Sequence, residues 1–186
     1  FMPQTAAKDL RVTPSIDERY DPLKSTRAAA KFLMSNYKIL KSWPLAVMAY
    51  HHGAGLVSKA MKALKTDNPI TIVRTFKDSN FQFASRNYLF EFLAMLDVNA
   101  SKELFFKDVP EAMALPEFIT VSFPRKTDMK TILSHYKLSE SLTRVLNPHF
   151  LEPIWSGTAQ IPAHYPIRIT GITLEEFRKN EYPKAQ

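Results

Sequence analysis

A phenol, two imidazoles and two glycines stand almost side by side in Tyr50-His51-His52-Gly53-Ala54-Gly55. Imidazoles can bind a metal, but adjacent helical residues point about 100° apart, so the two rings are not expected to ligate one ion. Packing or surface placement of one of them is the better expectation. A tyrosine hydroxyl that becomes buried needs a polar partner. Two glycines inside a helical pattern cost on the order of 2 kcal/mol relative to alanine. The ordinary reasons for such a pair are a bend or the close approach of backbone to another surface or ligand. A functional site is therefore expected around this stretch.

The elements that must position these groups read as follows. Asp21-Pro22 is a helix start, with Asp as cap and Pro in the first position. Ala29, Phe32, Leu33, Tyr37 and Leu40 then keep helical spacing. Ser42-Trp43-Pro44 marks a break and a restart. One helix, interrupted by Gly53 and Gly55, should present Leu45, Met48, Ala49, Leu56, Val57, Ala60, Met61 and Leu64 on a broad apolar face. Asp67-Asn68-Pro69 is a turn before a short helix to about Phe76, and a further helix should bury Leu89, Phe92, Leu93 and Leu96. From Pro110 the character changes. Phe118 to Phe123 is the first convincing strand, rich in β-branched and aromatic residues. Short helices follow around Met129 to Tyr136 and Ser139 to Leu146. Asn147-Pro148 then makes a turn, and Ser156-Gly157 precedes a second strand at Thr158 to Pro162. Thr173-Leu174-Glu175-Glu176 has the capping-box pattern of a last helix.

The chain has 186 residues, enough for one good core or a core with a small appended module. It has no cysteine, which excludes a disulfide frame and a thiolate metal site within it. The net charge of +7 suits an acidic partner. Its lysines are scattered, and the clearest row, Lys59, Lys62 and Lys65, reads as a solvated helix face, so nucleic acid is not expected. No window approaches a membrane span, and the first residues lack a signal-peptide layout.

Phe1-Met2-Pro3-Gln4-Thr5, then Ile16-Asp17-Glu18-Arg19-Tyr20-Asp21-Pro22 with Ser25-Thr26-Arg27-Ala28-Ala29-Ala30, then Trp43 to Gly55, and finally Phe83-Ala84-Ser85-Arg86-Asn87-Tyr88 form an ordered set. In order and spacing these pieces resemble the lytic transglycosylases of glycoside hydrolase family 23, with the Asp-Glu-Arg run closest to the membrane-bound D-type enzymes. Phe118 to Pro162 is similar to a LysM module, in degenerate form because the usual Gly-Asp-Thr-Leu turn reads Arg125-Lys126-Thr127-Asp128-Met129.

The resemblance implies a mainly α fold. Residues 1–106 would be the C-terminal part of a lysozyme-like helical domain, 107–117 a linker, 118–170 a small β-α-α-β LysM-like module and 171–186 a terminal helix and tail. It implies non-hydrolytic cleavage of the MurNAc–GlcNAc β-1,4 bond in peptidoglycan, giving 1,6-anhydroMurNAc ends, without metal or cofactor. One glutamic acid would protonate the glycosidic oxygen and, as carboxylate, assist attack by the MurNAc 6-hydroxyl. The family places that glutamate before the position of Phe1, so this chain alone is expected to be inactive. Tyr50 is the implied supporting catalytic residue. Met2, Tyr50, His51, Gly53 and Tyr88 are the implied substrate-binding residues. Glu18 falls in the Asp-Glu-Arg run, where Asp17, Glu18 and Arg19 are expected to form structural ion pairs. Phe76, Phe81 and Phe83 could stack on sugar, although clustered phenylalanines are more often core. The implied setting is the periplasm or cell envelope of a bacterium, with glycan strands, and a separate N-terminal portion of the same protein, as partners of a monomer. The alternative is a non-catalytic peptidoglycan-binding or scaffold protein.

Overall fold

The computed structural model describes residues 1–109 and 114–180. In chain order these residues form α1 (Pro3–Ala6), α2 (Pro22–Leu40), α3 (Trp43–His52), α4 (Ala54–Leu64), α5 (Pro69–Thr75), α6 (Phe83–Ala100) and α7 (Lys102–Phe105). After them come β1 (Ile119–Val121), α8 (Met129–Tyr136), α9 (Glu140–Leu146), α10 (Glu152–Ser156), β2 (Ile167–Ile169) and α11 (Leu174–Lys179). The mainly helical class is as expected. No helix among the described residues is long and apolar enough to cross a membrane.

The chain forms two compact units, one of Phe1–Ala28 with Ala112–Gln186 and the other of Ala29–Glu111. The grouping of residues 1–28 differs from the expected division, because long-range pairing draws this segment to the second half of the sequence. Ile16 shares a core with Val121, Phe150 and Ile167. The Asp17 N–H donates to the His149 carbonyl at 2.8 Å, and the Leu151 N–H donates to the Ser15 carbonyl at 3.0 Å. Such pairings leave no local pattern for a sequence reading to find.

In the unit of Ala29–Glu111 the core is built from α3, α4, α5 and the first half of α6. Leu45, Met48, Val57, Ala60, Ile72, Phe76, Phe81 and Leu89 are its centre. The single glycine-interrupted helix of the sequence reading is two helices. Gly53 ends α3 with φ +80° and ψ 144°, and its N–H still donates to the Ala49 carbonyl at 2.7 Å. Asn68 opens α5 by accepting from the Thr71 N–H at 3.1 Å, with Pro69 behind it. In α6 Leu89 is buried and Phe92 packs against the core, but Leu93 and Leu96 are 46% and 50% exposed. At 1.5 Å per residue α6 runs to roughly 27 Å against roughly 15 Å for α3, so its second half outruns the core. Phe76 and Phe81 are core, whereas Phe83 is 80% exposed.

In the other unit β1 and β2 pair antiparallel, Ile119 opposite Ile169 and Val121 opposite Ile167. The period of two buries Val121, Ile167 and Ile169 and turns Thr120 and Arg168 to the opposite face. The strand expected at 158–162 is absent among the described residues. Ser156-Gly157 instead ends a helix, α10, with Gly157 in the left-handed region at φ +85°. Ile161 then makes one isolated bridge to Thr127. The first strand is likewise shorter than the expected 118–123. Asp128, Ser139 and Thr173 cap α8, α9 and α11, the last as a full capping box. Leu146 is buried in the core of this half, while Leu142 is 43% exposed.

Candidate functional site

The last turn of α3 carries Tyr50, His51 and His52 because the Gly53 break stops the helix there. Leu45 to Ala49 behind them are buried and fix the helix in place. The Tyr50 ring lies 6.2 Å from that of Tyr88 on α6 and is almost parallel to it, at 3°, and it meets Phe32 edge-on at 5.5 Å. His51 stacks on Tyr88 at 5.1 Å and 25°. Burial pushes both phenols above their ordinary range, and for Tyr88 the neighbouring Tyr50 and Glu91 add to this. Each hydroxyl therefore keeps its proton, and remains a donor, at neutral pH.

His52 turns inward. Its Nε2 is 3.3 Å from the Ser85 carbonyl and its Nδ1 is 3.2 Å from the Ser85 hydroxyl. A carbonyl only accepts, so Nε2 carries the proton and Nδ1 is left to accept from the hydroxyl. Burial, opposed by the Ser85 carbonyl and aided by His51, lowers the His52 pKa, which keeps the ring neutral. His51 Nδ1 lies 3.2 Å from His52 Nε2 and reaches outward. Arg86 anchors this part of α6 by donating from Nη1 to the Val73 carbonyl and from Nη2 to the Phe76 carbonyl at 2.7 Å, at the end of α5. A cation at a helix C-terminus is well placed both for the orphan carbonyls and for the helix dipole. These bonds tie the first turn of α6, two residues before Tyr88, to the end of α5.

Four of the five expected binding residues, Tyr50, His51, Gly53 and Tyr88, thus gather at the end of α3 and the start of α6. Met2 belongs to the other unit, where it precedes α1 and is 70% exposed. A Cβ at Gly53 or Gly55 would meet no atom within 4 Å. Gly53 is therefore required by its positive φ and not by crowding, and at Gly55 the surface is simply open.

The charged residues of the Asp-Glu-Arg run are committed elsewhere. Arg19 forks onto Asp17 at 2.6 Å and 2.9 Å and also donates to the Phe1 carbonyl. That guanidinium outweighs burial and holds the Asp17 carboxyl below its ordinary range. Glu18 Oε1 accepts from Lys24 Nζ and the Tyr165 hydroxyl, both at 2.6 Å, and its Oε2 accepts from the Arg11 N–H. Burial works to raise Glu18, yet these three donors hold it below the usual range. It is a fixed anion, which is the opposite of what a general acid requires.

A further cluster escapes the sequence reading. Asp21, fully buried, accepts at Oδ1 from the Leu23 and Lys24 N–H groups and so caps α2. Its Oδ2 lies 2.8 Å from Arg168 Nη2 and 3.0 Å from His149 Nδ1, charge against polar group at close range but off the hydrogen-bonding line. Burial and the Lys24 charge lower the His149 pKa to about 4 despite the neighbouring carboxylate. Asn147, the residue of the Asn-Pro turn, is also fully buried: it donates to the Thr143 and Arg168 carbonyls and accepts from the Arg168 N–H at 2.9 Å. The sequence signals were Asp21 as a cap and Asn147-Pro148 as a turn; nothing local pointed to His149 or Arg168.

Residues 1–73 match the family model described as Transglycosylase SLT domain. This segment is less than half of the chain. It contains Met2, Tyr50, His51 and Gly53 and ends before Tyr88. The match supports the lytic transglycosylase family, whose substrate is peptidoglycan. No curated protein matches the chain.

Proposed function

We propose that the chain supplies part of the glycan groove of a lytic transglycosylase of the family 23 type. The enzyme cleaves the MurNAc–GlcNAc β-1,4 bond and closes the MurNAc 6-oxygen onto its own anomeric carbon. The carrying observation is the grouping of Tyr50, Tyr88 and His51 beside the open Gly53-Ala54-Gly55 corner. Tyr50, kept protonated by burial, donates to the substrate or to the catalytic carboxyl, and the Tyr88 and His51 rings offer flat faces to sugar. Glu18, held as an anion by three donors, is not offered as the acid, and the family resemblance places that glutamate ahead of the position of Phe1. The unit containing β1, α8, α9, α10 and β2 acts as a LysM-like grip on glycan, a reading supported by short helices enclosed between two paired strands and by the buried Asn147 of the Asn-Pro turn. The setting is the periplasm or cell envelope.

The test uses purified sacculi and mass spectrometry of released muropeptides. The protein extended to include the expected glutamate yields 1,6-anhydro products, and Tyr50→Phe slows it by about 10- to 100-fold. The chain as given yields none. An unchanged rate in Tyr50→Phe rejects the role of that hydroxyl, and anhydro products from the chain alone reject an acid outside it. Binding to sacculi with no cleavage by the extended protein establishes the scaffold reading, which the commitment of Glu18 favours, in place of the enzyme.

A further inference from the structure

A second aromatic pair lies in the unit of Ala29–Glu111, at the corner where α2 passes into α3. Tyr37 and Trp43 stack with ring centroids 4.5 Å apart and planes 19° from parallel. Trp43 nevertheless stays 49% exposed. An indole has two broad faces and Tyr37 covers one, so most of what is left to solvent is the other. Burying such a ring is its usual contribution to stability, and here half of it is forgone. The helix α3 does not depend on it, because Leu45 to Ala49 already anchor it in the core. The stack holds the indole flat, a rigid platform that a flat-faced ligand can meet at little entropic cost.

The charge around the platform has one sign. From Pro22 to Thr66 the chain carries eight lysines and arginines and no aspartate or glutamate. Lys38 follows Tyr37 in the last turn of α2. The Lys41 N–H donates to the Tyr37 carbonyl at 2.8 Å, which sets Lys41 beside the same turn. Both lysines are exposed, and neither has an ion pair among the described residues. Lys41 has φ +56°, in the left-handed region that glycine enters freely and a lysine only at a cost. The corner thus combines a bare indole face with two uncompensated ammonium groups.

We infer that this corner is a second glycan contact, for a strand whose sugars carry carboxylates on their side branches. A pyranose ring lays its C–H face on Trp43, and Lys38 and Lys41 meet the carboxylates. The inference rests on peptidoglycan being the polymer that the chain meets, and it needs neither the Tyr50 cluster nor any cleavage. An anionic lipid surface would also attract the lysines. An indole pinned flat on Tyr37, however, is placed to receive a ring and not to insert between acyl chains.

The chain is titrated with soluble glycan strands bearing stem peptides, the neutral tetramer of N-acetylglucosamine, and phosphatidylglycerol vesicles while its tryptophan fluorescence is recorded. Trp155 is buried, so the accessible indole that responds is Trp43. The peptide-bearing strands change the emission saturably, and the change is absent in Trp43→Phe, which keeps a ring on Tyr37 but has no indole to report. The neutral tetramer binds about threefold or more weakly. Lys38→Gln combined with Lys41→Gln brings the strands down to that level and flattens the salt dependence, at a native thermal midpoint because both lysines are exposed. In co-sedimentation with sacculi Trp43→Ala lowers affinity by about fivefold. The corner is overturned by a silent Trp43 while retention on sacculi persists, a result that leaves the reading of Tyr50 and Tyr88 standing. It is also overturned by a double variant of unchanged affinity or by vesicles that bind as tightly as the strands. No retention on sacculi at all overturns the glycan reading of both places.

Discussion

The two polar clusters of this molecule are built on opposite principles. Around Asp21 the groups are charged, buried and tied to several elements of one unit: the cap of α2, the turn after α9 and strand β2. Around Tyr50 the groups are aromatic and half-exposed, arranged face to face beside an open glycine corner. A buried charge network is expensive to break and so specifies a fold, whereas stacked rings with accessible faces cost little to rearrange and are suited to a ligand. The buried charges hold one unit together, and the stacked rings of the other are the surface proposed to meet glycan.

The largest effect that sharpens this contrast is expected from Asp21→Ala. It removes the α2 cap and leaves the largely but not fully buried Arg168 without its counter-charge, a loss of roughly 3–5 kcal/mol in urea unfolding. A loss under about 1 kcal/mol would erase the distinction between the clusters.

Acid should act on the same cluster. The His149 pKa of about 4 in the folded state lies below the unfolded value of 6.5, so between them the unfolded chain binds the extra proton. Stability is complete above about pH 6.5 and falls as pH drops toward 4, by roughly 3 kcal/mol at most. The lowered Asp17 and Glu18 carboxyls act in the same sense further down: their contribution is present above the unfolded carboxylate range and is lost as pH falls through the folded values. Urea midpoints measured from pH 7.5 to 4 check this, and a flat profile contradicts it.

At the aromatic cluster Gly53→Ala has no clash to relieve, so its cost is that of a non-glycine residue at φ +80°, about 1–3 kcal/mol. Tyr88→Leu, the smallest effect, changes stability by less than about 1 kcal/mol, because the ring is only partly buried, while weakening retention on sacculi. A larger loss of stability than in Asp21→Ala would invert the comparison.

What the sequence made legible follows the range of the interactions. Caps and turns are local, and Asp21-Pro22, Asn68-Pro69 and the Thr173 capping box all form as read. Tyr50, His51 and Gly53 lie next to each other in the chain, and Tyr88 joins them through the packing of α3 on α6. Burial along α6 was misread because periodicity shows which face is apolar and not how far the neighbouring helix extends. The second strand was misplaced because Gly157 ends a helix and does not open a strand. His149 and Arg168 stayed hidden because their partner Asp21 is remote in sequence and already had a local explanation as a cap.

The pairing of Ile16 with Phe150 has a consequence for the nascent chain. Residues 1–28 leave the ribosome before Ala29–Glu111, yet their partners, from Val121 to Ile169, are made only after that unit. The intervening unit, Ala29–Glu111, has its own core and can fold while the leading segment waits. Closing so long a loop carries an entropy cost on the order of 4 kcal/mol that helix formation cannot repay early. Residues 1–28 therefore become protected only after the intervening unit has been made, and until then they are open to proteases and chaperones.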